Sequence, residues 1–316
     1  MAKMMKHKFS IVICTYNGAR TIGKVIDTIS NQKNYDKFID EIVVVDNAST
    51  DETKEIVLNK KKNNPDIIYS FESKSGLSYA RLNGVMLVKN EWTVFIDDDN
   101  ELRDDWIEQA AKFIENNRNI GIFGGEIIPK IEFEITEHEI ENLKFALPLL
   151  ACTHYSESDI DINQKINTIG TIIGAGMVVK TIYLKELSKA GWINCVGRTR
   201  DDTEAGDDLE ILRYVTDIRK INAGHCPYMV LYHNLPKSRL EDQYLLRLRK
   251  SIVQSSYYIQ SQKKWYALRR IKELIRMFFI SNQYPKGTLQ YKMEKERKRT
   301  YLSLIWRDKL ILKRKK

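Results

Sequence analysis

An α/β fold with a mostly parallel sheet flanked by helices, followed by a basic helical extension, is predicted by three features of the sequence. Short β-branched runs alternate with amphipathic segments over the first 125 residues, which is the rhythm of βαβ units. The polar stretches TYNGA, DNASTD and DDD each follow one of those runs directly. From Lys237 to the end, 23 Lys and Arg stand against 6 Asp and Glu, which leaves 28 against 36 of the chain's 51 and 42 for the part before it. The net charge of +9 therefore divides into an acidic body and a basic tail, an asymmetry that concerns anionic partners and does not alter the fold.

Strands are expected at Phe9 to Cys14, Glu41 to Asp46, Ile67 to Phe71, Trp92 to Ile96 and Ile120 to Phe123, each a short apolar run. Between the first two, Thr21 to Ser30 carries Ile22, Val25, Ile26 and Ile29 at helical spacing. A second helix, Asp51 to Lys60, follows DNASTD, whose side chains offer N-caps. From about 127 to 170 the pattern is less regular, and the acidic EFEITEHEIEN reads as an inserted helix or an excursion over the sheet. TIIGAGMVVK reads as a strand in which Gly174 and Gly176 permit close backbone approach to something bulky. A short helix (Tyr183 to Ala190) follows, then the polar loop CVGRTRDDTEAGDD feeding the helical LEILRYV, and YMVLYH closes the body near His233. Past Arg239 the chain turns helical, basic and aromatic. Trp265, Leu268, Ile271, Ile275, Phe278 and Phe279 share one face, and YLSLIWRDKLILKRKK repeats that chemistry.

Composition removes several classes. A hydrophobic share of 43% over 316 residues fills a core and excludes general disorder. The amino terminus has no signal-type apolar region. The most apolar windows, FALPLLAC and IRMFFI, fall short of the roughly 20 residues that cross a bilayer. Cys14, Cys152, Cys195 and Cys226 form no CxxC pair, as expected of reduced thiols in a cytoplasmic protein.

Asp97, Asp98 and Asp99 close the run VFIDDDN. Three adjacent carboxylates disfavour one another's charge unless a cation offsets it. At a strand terminus they suit Mn²⁺ or Mg²⁺ shared with nucleotide phosphates, and in open α/β sheets ligands gather beyond such strand ends.

With TYNGA, DNASTD, DDD and the later GDDLE in this order, the chain resembles the inverting family 2 glycosyltransferases, which have the GT-A fold and use nucleotide-diphosphate sugars. The resemblance covers about residues 8 to 240. It implies that Thr15, Tyr16 and Asn17 lie by the base of a nucleotide, UDP above all, and that Asp46 accepts a hydrogen bond from the base edge. KSGLSYARLNG matches the family's usual GLSxARNxG, so Arg81 would help hold the diphosphate, although Leu82 replaces the usual Asn. Asp97 would approach the ribose or a metal-bound water, Asp98 is the variable middle position, and Asp99 would ligate the metal. Where the family usually carries Glu-Asp, this chain has Asp207-Asp208. Asp208 would be the base that deprotonates the acceptor hydroxyl. Gly176 and Asp207 complete the expected substrate-binding set, His233 would reach the metal or diphosphate, and Arg239 could clamp phosphate.

On this reading residues 1–238 form the catalytic domain, about 1–125 its nucleotide-binding half and about 126–238 its acceptor half, with 239–316 a basic amphipathic tail. The acceptor is a glycan or a lipid-linked glycan. The tail would dock on the anionic inner face of a membrane, where lipid-borne acceptors are found. Homo-oligomers are compatible with this and nucleic acid is not an expected partner. Two other readings use the same features. A metal-dependent nucleotidyltransferase would also need clustered Asp, but TYNGAR lacks a Gly-rich triphosphate loop, and there is no P-loop or GxGxxG. A nucleic-acid-binding protein would be led by the tail and bind in a salt-sensitive way.

Overall fold

The computed structural model describes residues 7–153, 172–191, 206–261, 272–276 and 283–314. The loop from Arg198 to Glu204, Cys195 and the aromatic face at Trp265, Leu268, Ile271, Phe278 and Phe279 lie outside them. The chain forms two compact units: Met1–Glu132 with Ala151–Arg200 and Asp207–Leu235, and Phe133–Leu150 with Asp201–Gly206 and Pro236–Lys316.

The first unit is built on eight strands. They are β1 (Phe9–Thr15), β2 (Ile39–Asp46), β3 (Ile67–Phe71), β4 (Trp92–Asp97), β5 (Asn100–Leu102), β6 (Ile120–Lys130), β7 (Met177–Lys180) and β8 (Asn222–Asn234). They join in one sheet of order β3-β2-β1-β4-β7-β6-β8-β5. The neighbours among β3, β2, β1 and β4 are all parallel, as is β6 with β8. The contacts of β7 with β4 and β6, and of β5 with β8, are antiparallel. All seven residues of β1 are buried, because helices cover both faces of a parallel sheet and leave its strands no solvent side.

Helices α1 (Ile22–Ser30), α2 (Tyr35–Phe38), α3 (Thr53–Asn63), α4 (Leu77–Leu87) and α5 (Trp106–Asn116) make the crossovers among the first six strands. In α1 the buried residues are Ile22, Val25, Ile26 and Ile29, the stripe expected from their spacing. The cap of α3 differs from expectation. Glu52 stands at the N-cap without a side-chain bond, while Asp51 accepts from the Thr53 amide and hydroxyl and from the Ala19 amide at 3.1 Å. That carboxylate takes the first amide of α3 from one residue before the N-cap and also ties DNASTD to the TYNGA loop.

The expected strand at TIIGAGMVVK is shorter, since only Met177–Lys180 is extended. Gly176 sits at φ +71° with its amide donating to the Phe95 carbonyl at 2.8 Å, and a Cβ there would come 2.6 Å from Leu231 Cδ2. A left-handed residue ends the strand. Helix α7 (Thr181–Lys189) follows β7. Further on, α8 (Asp207–Arg213) passes into a π-helical turn at Tyr214–Ile218.

The second unit holds α6 (Glu137–Ala146), a 3₁₀ turn (Lys237–Leu240), α9 (Asp242–Ser261) and α10 (Leu289–Arg314). EFEITEHEIEN does form a helix. Its Thr136 hydroxyl accepts from the Glu139 amide while Glu139 accepts from the Thr136 amide, a reciprocal capping box. Val253 and Tyr257 of α9 pack on Tyr301 and Leu304 of α10, with the tyrosine rings edge to face at 5.3 Å. Buried Glu294 receives Arg249 at 2.5 Å and Arg297 at 3.2 Å. Among the described residues no helix is long and apolar enough to cross a membrane.

Candidate active site

Strand register places the polar residues. Thr15 pairs with Asp46 across β1 and β2, and Cys14 with Asp97 across β1 and β4, so three parallel strands present these groups at their carboxyl ends, where an open α/β sheet forms its crevice. The Thr15 hydroxyl donates to Asp98 at 2.5 Å. Tyr16 is 40% exposed, leaving a ring face on which a base could stack. Asn17 takes a left-handed φ of 53°, accepts from the Thr50 amide at 2.8 Å and donates its own amide to Ser49 at 2.9 Å. Asp46 is buried and already engaged, receiving the Ser49 amide and the Tyr69 hydroxyl, each at 2.8 Å. A carboxylate oxygen has two lone pairs, so one acceptor position per oxygen remains beyond these bonds.

Past the triple aspartate, the Asn100 side chain accepts from the Asp97 amide at 3.2 Å, and β5 begins. Pairing of Asn100 with His233 brings β8 alongside. His233 Nε2 lies 3.2 Å from Asp99 Oδ2, and Cys152 Sγ lies 3.8 Å from the other ring nitrogen. The imidazole is buried. Burial works against its charge, but the Asp99 carboxylate outweighs that and, with help from Cys152, lifts its pKa to about 10.

Two ligands in neighbouring positions around an octahedral ion at about 2.1 Å stand about 3 Å apart. The Asp99 to His233 separation meets that condition, and a cation there would replace the proton the two side chains share. Among the described residues no cluster of three or more His, Cys, Asp or Glu forms a cation cage, and the donors on view are Asp99 and His233. This suits a Mg²⁺- or Mn²⁺-type ion that completes its shell with phosphate and water.

Asp208 and Asp207 open α8. Asp208 is half-buried, its Oδ2 accepting from the Gly174 amide at 3.2 Å and its Oδ1 from the Leu209 amide at 2.8 Å. Burial and the adjacent Asp207 push its pKa upward against the pull of Arg81. Arg81, which the motif could have left on a helix surface, is only 3% exposed. It pairs with Asp207, lies 3.7 Å from Asp97 and packs 5.3 Å from the Phe95 ring centroid. Asp97 and Asp207 therefore meet at one guanidinium, which joins the strand-end acids to the acids of α8.

Arg239 lies in the second unit, its guanidinium 5.4 Å from the Tyr244 ring. Gly176 bonds through its amide to the Phe95 carbonyl, two residues before Asp97. Cys14, Cys152 and Cys226 are buried and form no disulfide with one another.

Three groups went unnoticed in the sequence. Tyr69 holds Asp46, and only the β2 to β3 register reveals it. Asn47, lost inside DNASTD, donates to the Glu72 and Lys74 carbonyls at 3.1 and 2.6 Å and accepts from the Gly76 amide at 2.9 Å, fixing the loop that leads to Arg81. Glu126, buried on β6, accepts from Thr153 at 2.6 Å and meets His225 at 2.7 Å. No local pattern marks any of the three.

The family model described as glycosyl transferase family 2 matches residues 10–180. A poly(ribitol-phosphate) beta-N-acetylglucosaminyltransferase, TarS of Staphylococcus aureus, is 28% identical over 141 residues, covering 42% of this chain and 24% of its own length. A GalNAc(5)-diNAcBac-PP-undecaprenol beta-1,3-glucosyltransferase of Campylobacter jejuni is 32% identical over 128 residues, 39% of either chain. The match thus spans about a quarter to two fifths of those relatives. The crystal structure of S. aureus TarS 1-349 with UDP shares the fold at a TM-score of 0.52 and 16% identity, over 95% of this chain and 91% of that one. The same fragment with UDP-GlcNAc gives 0.53 and 16% over 78% and 66%. A GT-A-like sheet, ordered acidic motifs at its strand ends and a family match over more than half the chain converge, and the chain belongs to glycosyl transferase family 2.

Proposed function

We propose that this glycosyltransferase moves a sugar, with inversion, from a UDP-sugar to a hydroxyl of a glycan or lipid-linked glycan, with Asp208 as base. The observation that carries this reading is the meeting of Asp97 and Asp207 at Arg81, which sets a donor-side acidic rim and a candidate base in one crevice. Support for UDP comes from the UDP and UDP-GlcNAc complexes of TarS, a protein of the same fold.

Thr15, Tyr16, Asn17 and Asp46 would receive the nucleoside. Asp99 and His233 would hold Mn²⁺ or Mg²⁺, which when bound offsets charge on the departing diphosphate. Asp208 takes the acceptor hydroxyl proton as that oxygen bonds to the anomeric carbon and the bond to the diphosphate oxygen breaks on the opposite face. One displacement inverts the centre without a covalent enzyme intermediate. Asp208→Asn should lower kcat by about 10² or more while UDP binding stays within a few-fold by calorimetry. An unchanged kcat removes the base.

The second unit bears on the acceptor. Lys295, Arg299, Leu302 and Trp306 follow one another at three- and four-residue spacing on the exposed side of α10, Trp306 being 68% exposed. Cations beside an outward tryptophan suit anionic lipid head groups. Names among the relatives point the same way, one citing PP-undecaprenol and another, from Haloferax volcanii, a glucosyl-dolichyl phosphate. Docking at the inner face of a membrane would bring the enzyme to such an acceptor.

A further inference from the structure

We infer that Arg81 and Asp207 act as a positioning pair that aims Asp208, and that neither is a donor ligand. The inference rests on the assignment of Asp208 as base.

Arg81 projects from α4 into a closed setting. Its guanidinium pairs with Asp207, stands 3.7 Å from Asp97, and has the Phe95 ring centroid at 5.3 Å. On a further side is Gly174, where a Cβ would collide with the guanidinium itself. Arg81 and Asp207 are 3% and 4% exposed. A donor diphosphate that took the place of Asp207 at this cation would leave a buried carboxylate without its counter-ion.

The same neighbours define where Asp208 points. Asp207 is the first residue of α8, so anchoring it to Arg81 fixes the turn that carries Asp208. Gly174, pressed against Arg81, donates its amide to Asp208 at 3.2 Å. Three separate parts of the chain, α4, the turn before β7 and the start of α8, thus meet around one guanidinium. Only glycine at 174 lets that turn approach closely enough for its amide to serve Asp208.

Charge follows geometry. Asp208 is faced by Asp207 on its own helix, which opposes its ionisation, and by Arg81 from α4, which favours it. Asp97 of β4 stands 3.7 Å from the same guanidinium, and Cys14 of β1 lies in its field. Removing Arg81 should therefore make Asp208 harder to ionise. Removing the Asp207 charge should make it easier.

The test is the pH dependence of kcat/KM, with UDP affinity measured separately by calorimetry. In Arg81→Gln the acidic limb is expected to move up by about one pH unit or more, and in Asp207→Asn to move down. In both, kcat falls while donor KM and UDP affinity stay within about threefold. Asp207→Glu, which keeps the charge, should hold the limb in place. Opposite shifts are not what simple loosening of the fold would give. If Arg81→Gln does not fold, as judged by circular dichroism, the two Asp207 variants decide. An unmoved limb in Asp207→Asn overturns the inference, and so does a tenfold loss of UDP affinity with unmoved limbs, which would make the pair donor ligands. Failure of the base assignment is seen separately, as full activity in Asp208→Asn.

Discussion

His233 Nε2 stands 3.2 Å from Asp99 Oδ2 although 134 positions separate them in the chain. Asp99 lies in the turn just before β5, and the pairing of Asn100 with His233 brings that turn beside β8. Asp99→Asn should weaken Mn²⁺ binding about tenfold or more, followed by paramagnetic resonance of the free ion. Metal-free UDP binding should stay as it was. EDTA should stop turnover and Mn²⁺ or Mg²⁺ restore it. Full turnover in chelator would remove the metal from the mechanism.

Asp208 has a raised pKa, caused first by burial and then by Asp207. A base must be ionised, so kcat/KM should fall as pH drops through that raised value, above the usual carboxylate range near 4. The same shift has a consequence for stability. A carboxylate whose folded pKa exceeds its unfolded one favours the fold when protonated and penalises it when charged. Asp208→Asn should therefore melt higher than the natural protein near pH 7.5, by on the order of 2–4 °C per kcal/mol relieved. The gap should close as the pH falls. Calorimetric scans at several pH values would expose a wrong sign.

Gly176 combines a φ of +71° with Leu231 Cδ2 at 2.6 Å from where a Cβ would stand. Gly176→Ala should destabilise the first unit by about 1–3 kcal/mol, measured as a lowered denaturation midpoint. A midpoint equal to that of the natural chain would mean the turn can relax.

On α10, Leu302→Ser with Trp306→Ser should abolish flotation of the full chain with phosphatidylglycerol vesicles. Lys295→Glu with Arg299→Glu should do the same, and neutral phosphatidylcholine vesicles should recover little of either protein. Hydrolysis of a UDP-sugar in the absence of lipid should be unaffected. Equal recovery of all variants would separate α10 from any membrane role.

Much of the half that holds β1 to β4 is legible in the sequence, because these strands are short, mainly apolar runs and their ends are marked by abrupt polarity. Ile67–Phe71 is the clearest case, expected and observed with the same limits. Register is what local patterns lack. β5 is not among the expected strands because its partner strand is more than a hundred residues away. Arg81 carries no sign of burial in its own helix, since the acid that allows it, Asp207, lies 126 positions on. TIIGAGMVVK reads as a strand by its apolar residues, and the single left-handed glycine that divides it leaves no periodic trace. Tyr214–Ile218 keeps an apolar rhythm while its backbone widens to a π turn.

Strand β5 is the last in the sheet and has β8 as its one neighbour there. During synthesis, the segment after Asp99 has no strand to join until Asn222–Asn234 leaves the ribosome. A nascent chain ending near Lys180, where the family match stops, carries β1 to β7 but neither His233 nor Asp208. The strand ends that carry Thr15, Asp46 and Asp97 are thus made early and those two groups last, so a prematurely terminated product would lack both the proposed base and a proposed metal donor.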